Sequence, residues 1–128
     1  MMNTNHKISL EVIRTHIIEQ FAFLNTLSIQ IQNDLEKINS HYDTLDEEIN
    51  SSETIINDYF FHCHKYEELR SLYERQKLII SQLSNLEKLC SDIDMPDGKL
   101  RLHLTIAIKA ATKTIHTIES FMPKDDFY

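Results

Sequence analysis

Apolar residues recur at alternating intervals of four and three along the first half of the chain, beginning at Ile17. Only Ser28 and Ser52 interrupt the series, although just 41% of the whole chain is hydrophobic. A seven-residue apolar repeat kept over this length predicts a helix that supercoils left-handedly with a partner helix. The positions are Ile17, Phe21, Leu24, Ser28, Ile31, Leu35, Ile38, Tyr42, Leu45, Ile49, Ser52, Ile56, Tyr59, Cys63 and Tyr66.

The repeat changes phase once, after Tyr66, and reappears in a last series beyond a break at residues 94–98. Tyr66, Leu69 and Leu72 are separated by two consecutive steps of three, and the regular stride then resumes as far as Ile93. Residues 94–98 hold Pro and Gly and predict a break, because these residues end helices and form turns. A last apolar series follows, made of Leu104, Ile108, Ala111, Ile115, Ile118 and Met122.

The long repeat has to fold back on itself if its apolar face is to be covered within one chain. Residues 50–54 are rich in weak helix formers that also cap helices well, so we place the bend near residue 51. Residues 39–43 offer an alternative bend near residue 41. The resulting prediction is an all-α fold: a long antiparallel helical hairpin (coiled coil) with a shorter third helix packed on its open half. One domain, residues 1–128, would hold helices at about 8–50, 53–93 and 99–122.

A second apolar set accompanies the repeat near the start of the first helix. We expect these side chains to pack in a three-helix base, from which the rest of the hairpin projects as a two-helix tip. They are Leu10, Val12, Ile13, Ile18, Phe23, Leu27 and Ile29.

Composition supports the predicted all-α fold and argues against several classes of function, enzymes among them. The chain has one Gly and two Pro, too few turn residues for a β-rich fold. A polar start that leads into an amphipathic pattern, without a long apolar run, predicts a cytoplasmic protein with no signal peptide and no membrane contact. Near-continuous helix leaves almost no turn on which to position a nucleophile and an oxyanion donor, so we expect no enzyme and no cofactor.

Histidine and cysteine raise the question of a metal site. In a hairpin that bends near residue 51, His41 would lie across from His62 and Cys63. On a helix, however, His62 and His64 project about 200° apart and cannot share one ion. We therefore expect no metal, and we expect Cys63 and Cys90 to be reduced thiols buried at repeat positions.

The chain has a net charge of −7, and its charged residues are unevenly distributed along the sequence. Residues 38–64, called here the acidic segment, contain six acids and no Lys or Arg, whereas residues 99–118 contain basic residues and no acid. The overall sign argues against direct nucleic-acid binding. A two-helix tip cannot bury every aromatic side chain in and near the acidic segment, which predicts a partner-binding surface there. Its candidate residues are Tyr42, Glu47, Glu48, Tyr59, Phe60 and Phe61.

Together these features predict a non-enzymatic helical protein that binds another protein, itself or both through helix faces, with a homodimer as the expected self-association. An adaptor, a secretion or assembly chaperone and a small regulator all fit. In general build such a protein resembles bacterial secretion chaperones, although it shares no motif with them. The alternative is an acidic inhibitor or immunity-type protein that blocks a basic or nucleic-acid-binding site of its target.

Overall fold

A computed structural model describes the backbone of residues 2–52 and 55–122 and the side chains of residues 9–42 and 63–122. It contains three helices: α1 (Met2–Ser52), α2 (Ile55–Asp92) and α3 (Gly98–Ser120). The described residues form no strand, so the predicted all-α fold is confirmed. α1 runs unbroken through residues 39–43, which excludes a bend near residue 41. α1 is described as far as Ser52, and α2 from Ile55 onward.

Two contacts fix the relative direction of α1 and α2. The side chain of Gln76 on α2 donates a hydrogen bond to Ser28 on α1, and Tyr42 on α1 hydrogen-bonds Glu68 on α2. As α1 runs from residue 28 to residue 42, the neighbouring residues of α2 therefore run in the opposite direction, from residue 76 to residue 68. The two helices are antiparallel over this stretch, and the supercoiling of the pair stays a prediction.

α3 runs beside α1 in the same direction. Nε of Arg14 donates a 2.7 Å hydrogen bond to Asp97, just before α3, and the rings of Phe21 and His103 stack with centroids 6.5 Å apart. With 23 residues α3 is roughly 35 Å long, against roughly 57 Å for the 38 residues of α2. The third helix therefore lies along only part of the α1–α2 pair.

The connection between α2 and α3 is short and well bonded. Met95 is buried, and its backbone N–H donates to the carbonyl of Cys90 at 2.9 Å. Asp94 adopts a left-handed backbone with φ of 51°, which aspartate tolerates better than most residues. Asp97 caps α3 by accepting a 3.0 Å hydrogen bond from the N–H of Leu100. The break predicted from Pro96 and Gly98 lies here.

The core follows the predicted repeat. Ile17, Leu24 and Ile31 of α1 are buried against Leu72 and Leu83 of α2 in one cluster that α3 completes. Polar Ser28 also occupies a buried repeat position, so the seven-residue pattern marks the core better than residue polarity does. The buried apolar residues of α3 are Leu100, Leu104, Ala107, Ala111, Ile115 and Ile118.

The prediction of a buried Cys63 is wrong, since this side chain is exposed. The reason lies in the two successive three-residue steps after Tyr66. On a regular α-helix, two successive steps of three turn Cys63 about 100° away from the side on which an unbroken repeat would place it. α2 passes through this point as continuous helix, and Cys63 lies off the core side while Tyr66 still packs against the core.

Part of the second apolar set is also placed differently from expectation. Ile13, Ile18 and Leu27 pack against the core as predicted. Val12 and Phe23, in contrast, are 63% and 61% exposed, and Ile29 is exposed as well. α3 lies on the side of α1 that carries Arg14 and Phe21, and these three residues point elsewhere.

Candidate interaction surfaces

A groove runs between α1 and α2 at the level of the Ser28–Gln76 contact. It encloses a cavity of about 170 Å³. Leu78 stands at its edge with 60% of its surface exposed, and Phe23 precedes the lining residue Leu27 by about one helical turn. The described lining residues are Leu27, Gln30, Ile31, Arg75, Leu78, Ile79 and Gln82, called here the α1–α2 groove.

The groove opens away from α3. On α1, Leu27 follows the α3-contacting Phe21 by six residues, which turns it about 120° away on an α-helix. On α2, Glu87 accepts a 3.0 Å hydrogen bond from Thr105 of α3. Leu78 precedes Glu87 by nine residues, so it points about half a revolution away from that contact. No described helix therefore covers this face of the α1–α2 pair.

The chemistry of the groove suits a partner side chain more than a small molecule. Its described lining is mainly aliphatic, with two glutamine amides and the guanidinium of Arg75 as the polar groups. Sites for drug-sized ligands enclose roughly 300–1,000 Å³, well above this cavity. The volume fits one or two side chains inserted from a helix laid along the groove.

A second surface lies on the outer face of α3. Leu102 and Ile106 are 57% and 54% exposed, although both are large aliphatic residues on a helix whose other face is buried. Lysines occur at the positions that continue the same three- and four-residue spacing in both directions. The resulting basic stripe comprises Lys99, Leu102, Ile106, Lys109 and Lys113.

The lysines of the basic stripe form no ion pair with any carboxylate that the structure describes. The nearby Arg101 behaves differently, because it points toward α2 and donates to the carbonyl of Cys90 at 3.1 Å. On the other helices Arg14 pairs with Asp97 and Arg70 lies 3.7 Å from Glu74, but the exposed Lys37, Lys77 and Lys88, like the stripe lysines, form no ion pair with a described carboxylate. The basic stripe is thus a positive surface on a chain whose net charge is −7.

Among the side chains that the structure describes, three groups have shifted pKa values, each with a structural cause. The hydrogen bond from the N–H of Leu100, and then the one from Arg14, lower the pKa of Asp97. Burial, reinforced by the hydrogen bond with Glu68, raises the pKa of Tyr42 to about 12. Burial raises the pKa of the Cys90 thiol, and Arg101 partly opposes this. Each shift reflects a cap or a packed position.

Of the six residues in the surface predicted from sequence, Tyr42 is the one whose side chain the structure describes. Tyr42 is buried, with its hydroxyl engaged by Glu68, so it contributes to helix packing. Five further candidates lie outside the described side chains: Glu47, Glu48, Tyr59, Phe60 and Phe61. Sequence reasoning missed Leu78, Leu102 and Ile106, whose signal was a large aliphatic residue at a position off the repeat.

Among the described residues, no group of three His, Cys, Asp or Glu side chains is arranged to hold an ion. The side chain of His62, which belongs to the candidate cluster with His41 and Cys63, lies outside that part of the chain.

No helix in the described part of the chain is both long and apolar enough to cross a membrane. Comparison with protein-family models, with curated proteins and with solved structures finds no match to this chain.

Proposed function

We propose that this protein is a non-enzymatic helical interaction protein that binds an amphipathic helix of a partner protein in the α1–α2 groove. It would act in the cytoplasm as an adaptor, a secretion or assembly chaperone, or a small regulator. The observation that carries the proposal is the groove itself, with Phe23 and Leu78 exposed beside a lining that is mainly aliphatic.

The energetics favour an occupant for this groove. Burying a Leu or Phe side chain that is otherwise in water contributes roughly 1.5–3 kcal/mol. Two such residues beside a preformed cavity supply the kind of apolar contact on which helix-in-groove complexes depend. The neutral amides of Gln30 and Gln82 can hydrogen-bond polar groups at the edge of a docked helix.

The described lining also supports a binding role over a catalytic one. It offers aliphatic groups, amides and one guanidinium, whereas acid–base or nucleophilic chemistry requires a titratable group or an activated nucleophile at the site.

A second candidate function is an acidic inhibitor or immunity-type protein. It is favoured by the acidic segment, where six acids occur within 27 residues without any Lys or Arg. Such a protein would block a basic or nucleic-acid-binding site, with Glu47 and Glu48 as principal contacts. Its complex would depend mainly on charge, whereas a complex in the groove would depend mainly on apolar burial.

Titration calorimetry with the partner, once cross-linking has identified it, separates these two functions. We expect Leu78→Ser and Phe23→Ser each to weaken binding by at least about tenfold, which corresponds to about 1.4 kcal/mol. Ile29→Ser is the matched control, because it removes an exposed apolar side chain of α1 outside the groove. Raising the salt concentration should change the affinity of the groove complex little.

Opposite results would support the inhibitor function and overturn the groove. In that case Glu47→Lys with Glu48→Lys would abolish binding, added salt would weaken it steeply, and Leu78→Ser would leave it unchanged.

A further inference from the structure

We propose that the partner helix in the α1–α2 groove carries a carboxylate that pairs with Arg75, with apolar residues about one and two turns away on the same face. This inference rests on the proposed function, because it names the chemistry of the helix that the groove binds. It is carried by the place of Arg75 in the groove lining and by the order of polar and apolar side chains along the groove.

The chain has four arginines, and Arg75 is the one without an acceptor among the residues that the structure describes. Each of the others contacts an acidic side chain or a backbone carbonyl oxygen. They are Arg14, Arg70 and Arg101. A guanidinium presents a flat fork of N–H donors whose geometry matches two acceptor oxygens of one acidic group. The chain does not provide such a group to Arg75 in its described part.

Its place in the groove separates Arg75 from the exposed lysines as well. Arg75 lines the cavity of about 170 Å³ beside aliphatic side chains such as Ile31 and Leu78. A helix docked there would bring a carboxylate to the guanidinium and exclude water from the pair, which strengthens their attraction. Lys77 is only two residues farther along α2, but it points about 160° away from Arg75 around the helix.

A single guanidinium suits a carboxylate better than a phosphate. The other polar groups of the described lining are the neutral amides of Gln30 and Gln82. Phosphorylated side chains carry nearly two negative charges and are usually bound by clusters of basic residues. Asp34, one turn beyond Gln30 on α1, forms no ion pair with Arg75 and would repel a dianion more than a single carboxylate.

The apolar side chains beside the groove follow Arg75 in a fixed order. Ser28 lies against Gln76 in the antiparallel pair, so Phe23, five residues before Ser28, is level with about residue 81 of α2. A helix laid along the groove therefore meets Arg75, then Leu78 about one turn farther on, and then Phe23 nearly two turns from Arg75.

This order specifies a pattern for the partner helix. Residues three or four apart, and residues seven apart, lie on one face of a helix. We expect Asp or Glu at the position that meets Arg75, with apolar residues three or four and seven positions away. The carboxylate would fix the direction and register of the docked helix, while the apolar residues supply most of the affinity. An enclosed pair is screened little by salt.

Selection from a displayed library of amphipathic helices tests this pattern before any partner is known. The library holds helices of about 20 residues that are varied along one face. Binders are kept only if they lose binding to Leu78→Ser, which makes them dependent on the groove. We expect these binders to be enriched in the acidic and apolar pattern. The same selection against Arg75→Glu should enrich Lys or Arg at the acidic position.

Titration calorimetry with one selected peptide measures the pair itself. Arg75→Glu should weaken binding at least about tenfold, and a peptide with Lys in place of its acid should bind Arg75→Glu tightly again. Arg75→Lys keeps the charge but loses the forked geometry, so its affinity should lie between the two. The control is Lys77→Glu, which makes the same change of charge at nearly the same level of α2 but away from the groove, and it should leave binding nearly unchanged.

Three results would overturn the inference and leave the groove as a binding site. The first is a set of groove-dependent binders with no enrichment of acids. The second is a selected peptide that binds Arg75→Glu as tightly as the wild type. The third is a loss of thermal stability in Arg75→Glu that fully accounts for its weaker binding, which would assign Arg75 to the fold. A library without any binder sensitive to Leu78→Ser would instead contradict the groove and the proposed function with it.

Discussion

The side-chain amide of Gln76 donates a 2.9 Å hydrogen bond to the hydroxyl of Ser28 inside the apolar packing between α2 and α1. Both residues are buried, and Oε1 of Gln76 accepts no hydrogen bond from any residue that the structure describes. A polar pair in an otherwise apolar helix interface makes shifted alignments costly, because a shift would leave both groups buried without a partner. We infer that this pair helps to set the register of α1 against α2.

The first prediction concerns the loss of this contact. Ser28→Ala removes the partner that the structure gives the buried amide of Gln76, and we expect the free energy of unfolding to fall by about 1–3 kcal/mol. The double variant Ser28→Ala, Gln76→Leu removes both polar groups and should be at least as stable as the wild type. Urea denaturation of the two variants measures both effects. If the double variant were less stable than Ser28→Ala, the hydrogen bond would not be the reason for the loss.

A second prediction follows from the capping carboxylate of α3. The pKa of Asp97 is lowered, so its ionised form is favoured by folding. The stability it contributes is therefore present above its ordinary pKa of 3.8 and is lost as the pH falls through the lower, folded value. We expect Asp97→Ala to lower the melting temperature at about pH 7, and this difference to shrink as the pH falls below about 4. A difference that stays constant across this range would rule out the carboxylate charge as its source.

Tyr42 gives the opposite pH dependence. Its pKa rises from an ordinary 10.0 to about 12, so folding favours the neutral phenol. Its contribution is complete below pH 10 and is lost as the pH rises toward 12. We expect Tyr42→Phe to cost about 1 kcal/mol at neutral pH, through the lost hydrogen bond with Glu68, and to reduce the alkaline loss of stability. Denaturation of both proteins between pH 9 and 12 measures this, and parallel profiles would contradict it.

The two cysteines should differ in reactivity. Cys63 is exposed, whereas Cys90 is fully buried and has a raised thiol pKa, which lowers its thiolate fraction. We expect iodoacetamide to label Cys63 rapidly in the native protein and Cys90 only after denaturation, as mass spectrometry of the peptides would show. Equal labelling rates of Cys63 and Cys90 in the native protein would mean that the connection between α2 and α3, next to Cys90, opens readily. Slow labelling of both would mean that Cys63 is covered.

Much of the fold could be predicted because the side chains that pack between helices recur at regular intervals in the sequence. The seven-residue repeat identified Ile17, Leu24 and Leu83 as core, and Pro96 and Gly98 marked the turn into α3. The repeat could not show that Cys63 turns outward. That outcome depends on whether the helix overwinds after Tyr66 or stays regular, and three-dimensional packing decides between the two.

The candidate surfaces were harder to anticipate. A second apolar stripe on a helix shows that it needs covering but not which side the next helix takes. The Arg14–Asp97 contact holds α3 on one side of α1, and this leaves Phe23 and Leu78 uncovered on the other. The exposed pair Leu102 and Ile106 could be recognised only once the opposite face of α3 was seen to be buried.

The groove is the central claim, and site-specific photo-cross-linking in the native host tests it most directly. A photoreactive residue placed at position 78 or 82, in the groove, should yield a discrete adduct with a partner protein. The same residue at position 84 or 88, both exposed and turned away from the groove lining on α2, should not. The adduct should also disappear when Phe23→Ser is added. Equal adducts at all four positions, or none at 78 and 82, would contradict the assignment of the groove as the binding site.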